Sequence, residues 1–430
     1  MMSIRKVDIF RIPLILLFLL LLCPSFGYAE NSTFGNKEQL NKLNEYLEGK
    51  TISSDQEKQA QINNYLKNLN NSDLLEILEQ ASEKELIGLI SYGITGELKR
   101  RWGNNPPVTT FIKEITNKTK HRIYREVLID YLSRSVKVAV REGNLDKKIL
   151  EINKATTLKT FEAIAKDERD NNKIRGRALS EMGAILLLDV ERNNLPLNKK
   201  EEYGNVFLSL LENEKEDSFV KGRAIKALRM IHDTRAIPAL INIITDYSNQ
   251  QPFVIRSASI ALAKIKEINA VVPLSALLYE TKDESVFNTA AYALGLIESK
   301  NSIKPLVDNF KRFDSRICEF TLRDIKDLLI DILNKNEETY LIEAIQGISL
   351  INQVDAIPLL LNLVNSPNYE IRYLSIQAIY KIGKITDLEN VLNLTTKEDN
   401  PVILELLTQI KKKLGRKPVE KKISKEKVNE

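Results

Sequence analysis

The second half of this chain repeats itself, and an internal repeat constrains the fold more tightly than any other feature. Copies begin at Val220 (VKGRAIKALRMIHDTRAIPALINII), Val254 (VIRSASIALAKIKEINAVVPLSALL) and Val286 (VFNTAAYALGLIESKNSIKPLVDNF), 34 and 32 residues apart. A split copy follows. AIPLLLNLV at Ala356 matches AIPALINII at Ala236, and EIRYLSIQAIYKIGKI begins at Glu370. Upstream, KIRGRALSEMGAIL at Lys173 matches the start of the Val220 copy, with Ile174 aligned on Val220 at an offset of 46 residues.

Each copy reads as two helices. The first carries Ala224, Leu228 and Ile231, then Ala258, Leu262 and Ile265, then Ala290, Leu294 and Ile297, a spacing that places them on one helical face. The small residues predict a close approach of neighbouring helices. A short polar turn such as His232-Asp233-Thr234 follows, and then a proline: Pro238, Pro273, Pro305 or Pro358. Proline suits the start of a helix, where the backbone N–H has no intrahelical partner. The second helix shows apolar triplets, Leu240/Ile243/Ile244, Leu274/Leu277/Leu278 and Leu360/Leu363/Val364; Asn309 interrupts the equivalent set between Leu306 and Phe310. A lone hairpin of this length cannot bury enough apolar surface to offset its ordering entropy, so stacking is obligatory. The predicted fold is all-α, an α-solenoid of stacked helical hairpins. Gly (16) and Pro (13) are too sparse in 430 residues for a loop-rich alternative.

These motifs resemble the HEAT-like repeats, in particular the short version first described in bilin lyases. Ala293-Leu294-Gly295-Leu296-Ile297 and Ala236-Ile237-Pro238 carry the resemblance most clearly. It spans about Lys173 to Gly383, weakens over Phe111–Asp170 and is absent before Trp102. Arg316–Asn334 departs from the pattern: Pro305 and Pro358 are 53 residues apart, about one helix more than a repeat needs. The resemblance implies a HEAT/armadillo-like superhelix, a habit of binding proteins and a concave face lined by the second helices. It fixes no activity. On that face the partner-binding positions expected are Asn242, Asp246, Glu280, Asp308, Arg312 and Asn362, with Ala276 and Ser366 completing the stripe. Their mixed charge suits a protein better than a phosphate backbone.

The first 29 residues read as a secretory signal peptide. Arg5, Lys6 and Arg11 precede the apolar run Ile12–Cys23; Pro24 breaks it, and Gly27-Tyr28-Ala29 offers small residues for cleavage before Glu30. A retained anchor is the alternative, although the run is shorter than the roughly 20 residues of a spanning helix. Lipidation of Cys23 is another, with Leu22 standing where lipoprotein signals carry a small residue. Export to a bacterial periplasm or cell envelope is therefore expected. Residues 30–107 read as a helical cap region, with Ser54/Glu57 and Ser82/Glu85 as capping boxes opening helices and Asn105-Pro106-Pro107 as a break. Residues 108–410 form the solenoid, and 411–430 a basic, disordered tail. That tail carries nine Lys/Arg against three Glu, so the overall charge of +5 conceals a slightly acidic body. Nucleic acid is not an expected partner, and contact with membrane is expected only through a lipid anchor or the tail.

No catalytic motif appears. His121 and His232 are unpaired in sequence, His232 in a polar turn, and the single mature cysteine, Cys318, reads as a small buried residue. Asp324/Asp327 reads as solvated surface, and Lys99-Arg100-Arg101-Trp102 as cations in a last helical turn. No metal, cofactor or catalytic residues are assigned. The expected function is a non-catalytic scaffold or adaptor with a protein partner. An enzyme of the bilin-lyase type and a nucleic-acid-binding HEAT-like protein are the alternatives.

Overall fold

A computed structural model describes residues 71–83, 107–143, 145–314 and 316–415, with a few single positions between 64 and 100. The leader with Cys23, the Ser54/Glu57 box, Trp102 and the tail beyond Gly415 lie outside the described residues. The chain divides into two compact units, Met1–Gly103 and Asn104–Glu430. In the first, α1 (Asn71–Glu83) buries Leu74, Ile77 and Leu78. Ser82 does not open a helix as expected. It lies in the last turn of α1, where its buried hydroxyl donates back to the Leu78 carbonyl (2.6 Å); a serine hydroxyl serves this bond as readily as a cap.

The second unit is an α-solenoid, with no strand among its described residues. After α2 (Val108–Thr116), first and second helices alternate: α3 (Arg122–Glu142) with α4 (Lys147–Lys166), α5 (Asn172–Glu191) with α6 (Leu197–Glu212), and α7 (Ser218–Met230) with α8 (Ile237–Thr245). Then come α9 (Pro252–Lys264) with α10 (Val271–Glu280) and α11 (Glu284–Ile297) with α12 (Ile303–Asp308). Two further helices, α13 (Ile317–Asp324) and α14 (Lys326–Lys335), meet end to end at Ile325 and fill the long proline-to-proline interval. The regular order resumes with α15 (Glu338–Leu350) and α16 (Ile357–Leu363), then α17 (Tyr369–Ile382) and α18 (Ile385–Leu394), and ends on α19 (Pro401–Gly415), beyond the expected Ile410.

The first helices pack directly on one another, α3 on α5, α7, α9, α11 and α13 in turn, and α15 on α17 and α19. Small residues set this spacing. A Cβ added to Gly183 would lie 2.9 Å from the Ala227 backbone, and one on Gly222 would strike the Phe253 ring at 2.2 Å. The second helices α8, α10 and α12 touch one another more sparingly. At the irregular segment α12 packs against α15, while α14 takes up the row by packing on α16.

Three turns between paired helices, α7–α8, α9–α10 and α15–α16, share one construction. The first helix ends on a left-handed residue, His232, Lys266 or Asn352 (φ 53°, 54° and 55°). The next residue's N–H returns to the helix: Asp233 to Leu228 O, Glu267 to Leu262 O and Gln353 to Ile348 O, each at 3.0–3.1 Å. This is a Schellman ending without glycine. Asp233 and Glu267 then cap the short 3₁₀ turn that leads into the second helix. His232 is thus a turn residue. His121 caps α3, its Nδ1 accepting from the Ile123 N–H (3.4 Å).

Arginines, buried at 125 and 175 and half-buried at 372, tie successive repeats together. Arg125, Arg175 and Arg372 each occupy the fourth position of a first helix. Arg125 Nε donates to the Ile115 carbonyl behind it (2.6 Å), and its two Nη atoms grip Asp170 ahead of it (2.8 and 2.6 Å). Arg175 does the same with Ala165 O (3.0 Å) and Glu216 (2.9 and 2.6 Å). Arg372 bonds Ser366 O (3.0 Å) and Glu398 (2.8 and 3.0 Å). The carboxylates also accept the N–H of Asn171, Asp217 and Asn400 at the approach to the next first helix. One side chain thereby satisfies an orphan carbonyl and fixes the distance to the following repeat.

Candidate functional site

The expected stripe lies along the second-helix row. Asn242, Asp246, Glu280, Asp308 and Asn362 are exposed, while Ala276, Arg312 and Ser366 are half-buried. Several of these residues join neighbouring repeats. Tyr247 donates its hydroxyl to Glu280 (2.8 Å) and Tyr279 to Asp308 (2.6 Å). The Glu280 bond raises the Tyr247 phenol above its ordinary range; for Tyr279, burial and then the Asp308 carboxylate do the same. Asp246 accepts from Asn249 Nδ2 (2.7 Å).

Arg312 has a structural task. Its guanidinium donates to the Leu278 and Thr281 carbonyls at the end of α10 and lies over the Phe287 and Phe313 rings. Carbonyls at a helix C-terminus lack an intrahelical partner, and the half-buried Arg312 satisfies these two.

Beside this stripe the row opens into a groove of about 400 Å³ between α10, the start of α12 and α15. The opening follows from the local irregularity: α12 is only six residues long and leans on α15, leaving a recess next to α10. Val271, Val272 and Pro305 supply its apolar surface, and Tyr279 and Tyr340 stand in its wall. Val272 is 77 % exposed, an unusual position for a branched aliphatic side chain. Lys300 and Lys304 line the groove, each held by an acid: Lys300 by Glu337 (2.5 Å) and Lys304 by Asp308 (3.2 Å). Tyr340 donates to Asn301 (3.1 Å). Glu343, from α15, also lines the groove, and its Oε2 is buried without a hydrogen-bond donor. A carboxylate oxygen in that state favours a ligand that brings an N–H or O–H.

The sequence reading missed Val272, Tyr279, Lys300, Tyr340 and Glu343. Two signals pointed there: the overlong interval between Pro305 and Pro358, and an aliphatic residue outside the triplet pattern at 272.

Cys318 is fully buried, its thiol pushed up to about 12 by burial alone. Asp324 and Asp327 are exposed at the α13–α14 junction. Arg100 pairs with Glu97 (2.5 Å). Among the described residues no His, Cys, Asp and Glu are grouped to hold a metal ion, and no helix is long and apolar enough to cross a membrane.

The paired helices, capped turns and inter-repeat staples define an α-solenoid repeat protein. Residues 204–295 and 327–409 match the family model of HEAT repeats. The interval between the two matches, 296–326, holds the short α12 and α13. No curated protein matches the chain by sequence. Among solved structures it is similar to YibA of Escherichia coli, at 14% identity over 78% of this chain and 99% of that one, with a TM-score of 0.43. It is also similar to human deoxyhypusine hydroxylase in complex with glycerol, at 14% identity over 68% and 97% of the two chains, with a TM-score of 0.27. A third is Kap121p, at 14% identity over 86% of this chain and 43% of that one, with a TM-score of 0.31.

Proposed function

We propose that the protein is a non-catalytic scaffold of the bacterial cell envelope that docks a segment of another protein on its second-helix row. The observation that carries this reading is the groove between α10, α12 and α15. It combines an exposed apolar anchor point at Val272, two tyrosines and a buried carboxylate oxygen in need of a donor. Interfaces favour this combination of an apolar centre, aromatic walls and a polar rim. The occupant that fits is a segment presenting an apolar side chain near a lysine, arginine or hydroxyl residue. The non-catalytic part of the reading is supported by the structural roles of His121, His232 and Cys318. The envelope part is supported by the leader-like composition of residues 1–29.

The test is capture of crosslinked partners from the native envelope by the full-length chain and by Val272→Glu. Partners recovered with the parent and lost with Val272→Glu are expected. Equal recovery with both would remove the groove from the account, and envelope-free localisation of the tagged chain would remove the compartment.

A further inference from the structure

The opposite row carries a second feature, unrelated to the groove. On the first helices, Gly176-Arg177-Ala178 of α5 and Gly222-Arg223-Ala224 of α7 occupy equivalent positions. Each glycine makes room for a phenylalanine of the next helix: a Cβ on Gly176 would meet Phe219 at 2.6 Å, and one on Gly222 would meet Phe253 at 2.2 Å. The two rings stack 5.7 Å apart at 16°. Arg223 lies against both, its guanidinium carbon 4.6 Å from the Phe219 centroid and 5.7 Å from that of Phe253.

This arginine is held in place without an anion. Among the described residues it has no hydrogen-bond acceptor, and its Nε is buried and unpartnered. A guanidinium offers five donors in a fixed plane, and aromatic faces orient that plane without using them. The surroundings are predominantly positive. From α7 come Lys226 and Arg229, and from α5 Arg177, whose partner is Asp130 of α3. The other acid nearby, Glu181, is occupied by Lys137 (2.9 Å) and Ser133 (2.6 Å). From α9, Arg256 interacts with the Asp283 carboxylate. Burial and then Arg177 lower the Arg223 value; burial and then Arg223 lower that of Lys226. Like charges held together at partial burial are stabilised by an incoming anion.

We propose that the first-helix surface spanning α5, α7 and α9 docks an acidic protein segment, with Arg223, braced by Phe219 and Phe253, receiving a carboxylate and Lys226 and Arg229 forming the positive rim. Charge complementarity argues for this occupant, and the size of the patch argues against nucleic acid. A phosphate backbone is gripped by cations spread along a track of many phosphates, whereas these cations converge on one spot and Glu181 stands within it.

Binding of a fluorescent oligo-glutamate peptide to the full-length chain, followed by anisotropy at low salt, tests this. Saturable binding is expected. Arg223→Gln should weaken it about tenfold or more, the loss of a charge-assisted bidentate contact. Arg223→Lys should weaken it as well, because the plane is lost while the charge remains. Lys326→Gln, at an exposed position of α14, and Val272→Glu, in the groove, should leave it unchanged, so this surface and the groove fail separately. If Arg223→Gln loses its helical circular dichroism, the double variant Lys226→Gln/Arg229→Gln replaces it with the same expectation. No saturable binding, equal binding by the parent and the Arg223 or Lys226/Arg229 variants, or tighter Arg223-dependent binding of single-stranded DNA would each overturn the proposal.

Discussion

Replacing Arg175 by methionine should cost far more stability than its position on a helix surface in sequence suggests. The side chain is 3% exposed, as is its partner Glu216. The substitution removes two short bonds to Glu216 (2.9 and 2.6 Å) and one to the Ala165 carbonyl (3.0 Å), and methionine fills the space of the aliphatic stem. The carboxylate of Glu216 is then left buried with only the Asp217 N–H. Breaking a buried pair by removing one partner costs roughly 3–5 kcal/mol. In a stacked array the loss should appear as weakened coupling between the repeats that Arg175 joins. Urea unfolding followed by far-UV circular dichroism should show a lowered midpoint or a separated early phase. Amide exchange should rise first in the loop that carries Glu216. The exposed pair Lys266–Glu298, 58% open on both sides, is the control; Lys266→Ala should change stability by about 0.5 kcal/mol or less. Adding Glu216→Gln to Arg175→Met should recover part of the loss, because no charge is then stranded. An Arg175→Met cost below about 1 kcal/mol, or equal costs for Arg175→Met and Lys266→Ala, would refute the staple argument.

Three further outcomes are expected. Gly183→Ala should destabilise the second unit by roughly 1–3 kcal/mol in thermal or urea unfolding, since its Cβ would sit 2.9 Å from the Ala227 backbone in the tight first-helix row. Lys266→Gly should stabilise by about 0.5–1 kcal/mol, relieving a left-handed residue (φ 54°) whose side chain makes only an exposed ion pair. Acid unfolding should show two opposed trends. For Asp130, burial, only partly countered by Arg177, raises the carboxyl to about 6, so its ionisation in the folded state costs stability above that pH. That cost begins to shrink as pH falls through about 6 and is gone below the unfolded carboxylate range, and Asp130→Asn should abolish the trend. Asp170 is opposite in sign: burial alone would raise it, but the bonds from Arg125 and the Asn171 N–H bring it below its ordinary value. Its stabilisation is complete above the unfolded carboxylate range and is lost as pH falls through the depressed folded value, which Asp170→Asn should reveal as a flattened acid limb.

The repeat pattern was legible because it rests on local rules. Alanine-lined first helices, a polar turn and a proline-started second helix are each written within a few residues, and α7 to α11 follow them. The irregular segment was legible only as a surplus of residues. Its bend at Ile325 depends on what α13 and α14 pack against, which spacing does not encode. The staple residues Arg125, Arg175 and Arg372 look in sequence like any exposed arginine, since their partners lie 26 to 45 residues away. For the same reason Arg312 read as a binding residue when its donors serve backbone carbonyls. The positive cluster around Arg223 escaped a charge count because it is assembled from residues on separate helices within a body of slightly acidic net charge. Local helix rules carry over from sequence; the pairing of distant charges waits for the stack to form.

The central claim, that a protein segment docks between α10, α12 and α15, is tested most directly by a photo-crosslinking residue placed at Val272, with a second at exposed Glu214 on the loop after α6 as control. Discrete adducts with one partner at 272, absent at 214 and suppressed by Tyr340→Ala, are predicted. Identical adduct patterns at both positions, or none at 272, would contradict it.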